Sequence, residues 1–392
     1  MMKIAINGVG IAGPTLAWWL KEYGFEPVLF EKAPEFRTGG YLVDFWGAGC
    51  EVLKKMGLFE ELKNKSYKIK NIHCFNGRGR RSSKVNISSL IEDNYGEFLS
   101  VKRGDISSVI YNACGEIETR FGTFVTSVEN NDDKVIAHLS DGTKESFDLV
   151  IGADGLHSHT RSLAFSDSEF KEHDLNTFVA AFSLEDYKFH ENYTYGLCIE
   201  DDRQISRVTL ETGETLVMFT MSSNLVDKIP TTLDEKKEII RSVFKDIQWE
   251  APELLSRLND VDNIYFDSVT QVKMNNWYNN RIALVGDAAS CPSILMGQGS
   301  IFAIIEAYVL AGELYKAKGD YKVAFPAWQN KLKEIIDRKQ KLGLMNLSTS
   351  APEEVFKKYL STITVNISST PIVSKFIGAG IFHNEIEVSD YK

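Results

Sequence analysis

Residues 3–32, KIAINGVGIAGPTLAWWLKEYGFEPVLFEK, constrain the fold more than any other stretch of this chain. An apolar strand runs from Lys3 to Asn7 straight into Gly8-Val9-Gly10-Ile11-Ala12-Gly13. A helix carrying Ala, Trp and Leu follows, and a second strand at 27–30 ends in Glu31. A βαβ unit that binds a dinucleotide needs this order of parts. Gly8 permits the tight turn out of the strand, Gly10 lets a pyrophosphate approach the backbone, and Gly13 lets helix and sheet pack closely. The helix N-terminus, which Ile11 and Ala12 lead into, offers free N–H groups and the positive end of a dipole. Pro14 suits the first helical turn, where its missing N–H costs nothing. Glu31 stands where an acid accepts hydrogen bonds from a ribose diol. The motif alone leaves NAD and FAD both open.

A chain of 392 residues, 43% of them hydrophobic, can bury the cores of two or three domains. The formal net charge is -10 and no basic stripe is present, so nucleic acid is not expected as a partner. The cysteines, Cys50, Cys74, Cys114, Cys198 and Cys291, are scattered without a CxxC pair. They suggest neither a disulfide framework nor a metal site, and a cytoplasmic location fits. Glycines and Pro14 interrupt the apolar segment 4–20, which reads as strand and helix rather than signal peptide. No other run reaches the ~18 apolar residues of a membrane span.

Pro34 and the pair Gly39-Gly40 mark 32–40 as a loop. Lys32 and Arg37 in it are candidates to contact phosphate or ribose, with a solvated charge as the alternative. A short strand is expected at 40–45, a helix at 47–62, and mixed β-prone sequence from 67 to 99. Arg103 precedes a helix in the nucleotide-binding part and is a further ligand candidate. A β-meander at 121–130, 134–139 and 144–147 leads to a second glycine-rich strand end, Gly152-Ala153-Asp154-Gly155. Strands predominate from 176 to 271, interrupted by one helix at 233–244. A third strand ends in Gly286-Asp287-Ala288-Ala289 and runs through Pro292 and Gly297-Gln298-Gly299 into a helix starting at Ser300. The remainder is mainly helical to about 360.

Three strand-terminal motifs thus stand in order: GVGIAG from Gly8, GADG from Gly152 and GDAA from Gly286. The series resembles the group A FAD-dependent aromatic hydroxylases typified by para-hydroxybenzoate hydroxylase, over the chain up to about residue 317. The resemblance implies an α/β fold: a Rossmann-like FAD-binding domain (1–175 and 276–325), a β-rich substrate-binding domain (176–275), and a helical C-terminal extension (326–392) closing over substrate and FAD. It assigns Gly8, Gly10, Gly13 and Glu31 to the ADP half of FAD and makes Arg103 a cofactor contact. Asp154 and Gly155 would face cofactor and reductant. Gly286 and Asp287 would bind the ribityl or ribose hydroxyls, and Pro292 with Gly297, Gln298, Gly299 and Ser300 would lie by the flavin ring. A helix N-terminus there would stabilise the charge of reduced flavin. The lack of a second complete GxGxxG unit argues against a separate NAD(P)H domain.

Within this superfamily, GVGIAGPTLAWWL, GGYLVDFWGAG, the strand-rich middle and the helical extension are most similar to the tetracycline-inactivating monooxygenases. That branch often has a proline seven residues after the GD aspartate; here Ile294 takes the place. The resemblance implies a monomeric monooxygenase using NADPH and O2, which acts through a flavin C4a-hydroperoxide on a polycyclic aromatic or polyketide substrate, a tetracycline before others. Flavin carries the chemistry and no side chain is assigned as catalytic. Arg203 and Arg207 are candidates to meet an anionic or enolate substrate, with solvated strand arginines as the alternative. Met218, Phe219 and Ile294 are further substrate-contact candidates. Strand alternation puts Leu216, Met218 and Thr220 on one face and Val217, Phe219 and Met221 on the other, without saying which faces flavin. Competing readings are a hydroxylase of another aromatic or polyketide metabolite and a flavin-binding module without turnover.

Overall fold

A computed structural model gives the fold over residues 1–36, 41–86, 97–187, 191–294, 297–348 and 386–392, with side chains left out at 85 and 342–348. Arg37 and the apolar stretch 372–382 lie outside the described residues.

Lys3–Asn7 is a central strand of a six-stranded sheet, flanked in parallel by Leu149–Gly152 and Glu26–Glu31. Ile282–Leu284 and Thr119–Phe121 extend the parallel ladder on either side, and Tyr278–Asn279 closes one edge antiparallel. Ile4, Ala5 and Ile6 are fully buried, as strands covered on both faces must be. All three glycine motifs therefore end neighbouring parallel strands at the same edge, where open α/β sheets bind ligands.

Helix Ala12–Glu22 packs on helix Gly299–Lys316, with Trp19 against Tyr308 at 4.6 Å between ring centroids. Gly299–Lys316 is buried almost all round, because Ala12–Glu22, Ala48–Lys55 and Tyr321–Ser348 all cover it. The expected helix at 47–62 is two helices, Ala48–Lys55 and Phe59–Asn64. Gly57, at φ +73, breaks it. The β-meander forms from Val125–Asn130, Val135–Leu139 and Lys144–Phe147, starting at 125 rather than the expected 121 because Thr119–Phe121 pairs in the parallel sheet, and it packs Phe147 edge-on against Phe30.

The large sheet has seven strands in the order Tyr265–Met274, Phe170–Leu184, Thr215–Ser222, Arg203–Thr209, Thr194–Glu200, Asn71–Asn76 and Arg81–Asn86. Its last two strands come from the 67–99 segment, far earlier in the chain, and Asn71–Asn76 runs parallel to Thr194–Glu200. Helix Leu233–Phe244, closed at its start by a Thr232/Glu235 capping box, covers one face of this sheet. The other face looks towards the glycine motifs. A two-stranded ribbon, Leu42–Trp46 with Phe98–Lys102, stands beside them.

Candidate active site

The nucleotide end is shaped by glycine. Gly8 adopts φ +118, and a Cβ there would stand 2.4 Å from the Ala153 carbonyl oxygen; one on Gly13 would stand 2.0 Å from the Gly8 oxygen. Neither position admits a side chain. At Gly10 the nearest atom to such a Cβ is Arg103 Nη2, 3.9 Å away, so the backbone there is open and overlooked by a guanidinium. Ile11, the N-cap of Ala12–Glu22, supplies no side-chain acceptor, and Gln298 supplies none to Gly299–Lys316. Both helices thus present uncapped N–H groups at the cavity, which suits anionic ligand groups. Glu31 already accepts hydrogen bonds from the Val9 N–H (2.9 Å) and Ala33 N–H (2.8 Å), so it holds the loop. A carboxylate has further lone pairs for a diol.

Asp287 opens a short helix after Gly286, which takes φ +62. Burial raises the Asp287 pKa, while Arg103 and the Cys291 thiol lower it. Its Oδ1 is 3.3 Å from where a Gly299 Cβ would stand, so only glycine leaves this approach free. Behind it, Glu306 is fully buried and accepts from the Gly286 N–H (2.7 Å) and the Ser290 hydroxyl (2.6 Å). Gly155 (φ +79) and Gly297 (φ +64) have open space where a side chain would be, and both line the cavity.

Buried Arg161 joins two motifs: it donates to the Leu156 carbonyl (2.8 Å) and the Ala288 carbonyl (3.1 Å) and pairs with Glu172. From the long C-terminal helix, Gln340 Nε2 donates to the carbonyls of Val272, Ser290 and Cys291, and Trp328 Nε1 to that of Glu306. The described part of the extension therefore braces the GD motif from behind. Residues 349–385 lie outside the described residues.

These motifs and the large sheet enclose a cavity of roughly 440 Å³. Its walls carry Gly10, Ile11, Ala12, Arg103, Gly155, Asp287, Ser293, Ile294, Gly297, Gly299 and Ser300 at one end. At the other are Ile72, Ala181, Tyr195, Ser206, Val208, Leu216 and Met218 of the sheet, with Leu42, Asp44, Phe98 and Ser100 of the ribbon. The size and mainly apolar lining are those of a small-molecule site.

The family model of an FAD binding domain matches residues 1–320. A flavin-dependent monooxygenase from an unknown prokaryotic organism is 35% identical over 346 residues, 88% of each chain. This chain belongs to the FAD-binding family of flavin-dependent monooxygenases. A second such monooxygenase, from Legionella longbeachae, is 32% identical over 91% of this chain and 92% of its own. Among solved structures, tetracycline destructase Tet(51) superposes with a TM-score of 0.84 at 30% identity, covering 100% of both chains. Tetracycline destructase Tet(55) does so at 0.83, also with 30% identity and full coverage.

Within this monooxygenase several of the expected site residues have partners inside the protein. Asp154 points into its own loop, accepting from Ser158 Oγ and from the Thr160 N–H and hydroxyl, both 2.9 Å; the neighbouring Gly155 faces the cavity instead. Lys32 lies over the Phe124 ring, outside the cavity lining. Pro292 sits behind Gly299 and offers its carbonyl to Gln271. Gln298 is buried.

The sheet alternation resolves as Leu216 and Met218 inward and Phe219 outward, where Phe219 packs on Phe244 of the covering helix. Both arginines are also on that covered face. Arg203 forks onto Asp246 and donates to the Val243 carbonyl (2.6 Å). Arg207 borders the cavity, but its guanidinium makes a two-point pair with Glu250, at 3.0 and 2.9 Å. The third nitrogen of Arg207, Nη1, is buried and has no hydrogen-bond partner among the described residues. Asp44 and Ser100 are not among the sequence candidates, since nothing local marks a strand acid as inward-facing.

Proposed function

We propose that this monooxygenase hydroxylates and thereby inactivates a tetracycline, with NADPH as reductant and O2 as co-substrate. The observation that carries the reading is the cavity: one continuous space of roughly 440 Å³ joins the three dinucleotide motifs to a mainly apolar sheet face. Similarity over the whole chain to two tetracycline destructases supports the choice of substrate.

In this reading Gly8, Gly10 and Gly13, with the uncapped start of Ala12–Glu22, hold the pyrophosphate of FAD, and Glu31 holds a ribose. Arg103 balances phosphate charge. Asp287 binds hydroxyls along the cofactor, and the amides at 297–300 lie by the flavin. When bound, FAD supplies the oxygen chemistry. The chain's own residues orient the substrate against Met218, Leu216 and Ile294 and keep water out. The five free, buried cysteines suit a reducing cytoplasm.

The test is NADPH oxidation by the purified yellow holoprotein. Tetracycline should accelerate it, bleach the drug's long-wavelength absorbance, and give a product heavier by one oxygen atom. No acceleration together with an unchanged drug spectrum refutes the substrate assignment.

A further inference from the structure

Asp44 is a charged group in the cavity that the cofactor reading does not use. It stands mid-strand between buried Val43 and Phe45, so alternation turns its side chain away from the core and onto the cavity wall. Directly across the ribbon is Ser100, whose hydroxyl is buried and has no hydrogen-bond partner of good geometry. Among the described residues no cation pairs with Asp44. Lys102, one step along the same face of the ribbon, is held by both oxygens of Glu214 at 2.6 and 2.7 Å. Of the two arginines that line the cavity, Arg207 pairs with Glu250 through Nε and Nη2 while its Nη1 has no partner among the described residues, and Arg103 overlooks Gly10 and acts on Asp287; neither pairs with Asp44.

The aromatic wall at this end includes Tyr195, whose phenol pKa is raised by burial and also by the Asp44 carboxylate, and lowered by the Ser206 hydroxyl. Burial pushes the Asp44 carboxyl itself up to about 6, and Ser100 opposes this. At neutral pH the substrate end of the cavity therefore holds a largely ionised, half-buried carboxylate that no cation pairs among the described residues, in a lining that includes the rings of Tyr195 and Phe98. A bare buried carboxylate is costly. A ligand cation would relieve it and would also be drawn to the ring faces.

We propose that Asp44 is a specificity determinant whose carboxylate receives a protonated amino group of the substrate, so that the enzyme selects amine-bearing polycyclic compounds over neutral ones of the same shape. The inference deepens the functional reading above and rests on its placement of the substrate in this cavity. It does not depend on which polycycle is turned over.

The test compares matched ligand pairs on the FAD-loaded enzyme, with binding read from perturbation of the flavin spectrum. One pair is 1-naphthylmethylammonium and 1-naphthylmethanol; the other is tetracycline and its 4-dedimethylamino analogue. The wild type should prefer the cationic naphthyl compound by about tenfold or more, the range of a charge-assisted hydrogen bond. D44N should lose that preference while keeping its FAD stoichiometry and its affinity for the neutral partner, and D44E should retain part of it. In the wild type the preference should fade as pH drops through about 6, where Asp44 takes up its proton. This second measurement stands even if D44N does not fold. Failure of the cation to bind the wild type, a preference that survives in D44N, or one indifferent to pH overturns the proposal. Failure of the tetracycline pair alone counts against the substrate assignment and leaves Asp44 to the naphthyl pair.

Discussion

Glu306 offers the sharpest test of the electrostatics behind the site. It is fully buried at the back of the GD motif, and burial pushes its carboxyl up to about 8, with Asp287 adding to the rise while Ser290 and the Gly286 N–H oppose it. The unfolded chain ionises the same group near the ordinary value of about 4.5. Between these limits the folded state keeps a proton that the unfolded state releases. Stability therefore falls as pH rises from about 4.5 to about 8, and no further above that. At about 1.4 kcal/mol per pH unit the whole effect is on the order of 5 kcal/mol.

Glutamine keeps the shape and the bonds. Its oxygen accepts from the Gly286 N–H and its amide donates to Ser290 Oγ, with no proton to lose. E306Q should match the wild type near pH 5 and gain on it by about 1 kcal/mol per unit up to pH 8. E306A removes the acceptor of both groups and leaves a hole; it should cost about 2–5 kcal/mol near pH 5, a deficit that shrinks towards pH 8 as the wild type loses stability. The assay is urea unfolding of the holoprotein at a series of pH values. A stability difference between E306Q and wild type that is flat with pH refutes the reasoning, because Glu306 would then be ionised in the fold or equally protonated in both states.

Replacing Gly13 by alanine sets a methyl 2.0 Å from the Gly8 carbonyl oxygen; the variant should be insoluble or purify without FAD, and a yellow, stable G13A would contradict the loop geometry. R207M strands Glu250 in the sheet's covered face and should lose about 3 kcal/mol of unfolding free energy, partly recovered in R207M/E250L. If R207M instead keeps its stability and loses ligand affinity, the guanidinium serves the substrate after all. R103A removes the cation beside Gly10 and should weaken FAD binding at least about tenfold in reconstitution titrations, with stability of the apoprotein little changed. R203A, at an edge where its partner Asp246 is mostly exposed, should shift stability by less than about 1 kcal/mol and leave ligand binding unaltered.

Most of the nucleotide half is legible in the amino-acid sequence, because its determinants are local. A strand, three glycines, a helix and an acid within 3–32 each state a backbone requirement that neighbours in sequence can satisfy. The same holds for the GD turn at 286–287 and for the order of strands in the meander. The substrate half is not legible there, for three physical reasons. Period-2 alternation tells which residues share a sheet face but not which face is covered, and only the packing of helix Leu233–Phe244 turns Phe219 outward and Met218 inward. Long side chains take partners far along the chain, so Arg203 and Arg207 are claimed by Asp246 and Glu250, each 43 residues away. Even Asp154, sitting in a motif, spends its oxygens on Ser158 and Thr160 within its own loop.

The sequence by itself determined the dinucleotide-binding βαβ unit at 3–32, whose glycine spacing and backbone sterics are local, and the family resemblance joined the two later strand ends to it. Only the tertiary structure decided what faces the ligand. Strands 71–86 crossed into the large sheet, the ribbon pairing of Leu42–Trp46 with Phe98–Lys102 set Asp44 and Ser100 opposite each other on the cavity wall, and Lys102 was drawn to Glu214. Those outcomes depend on contacts between segments tens to more than a hundred residues apart, and they leave Asp44 without a paired cation among the described residues.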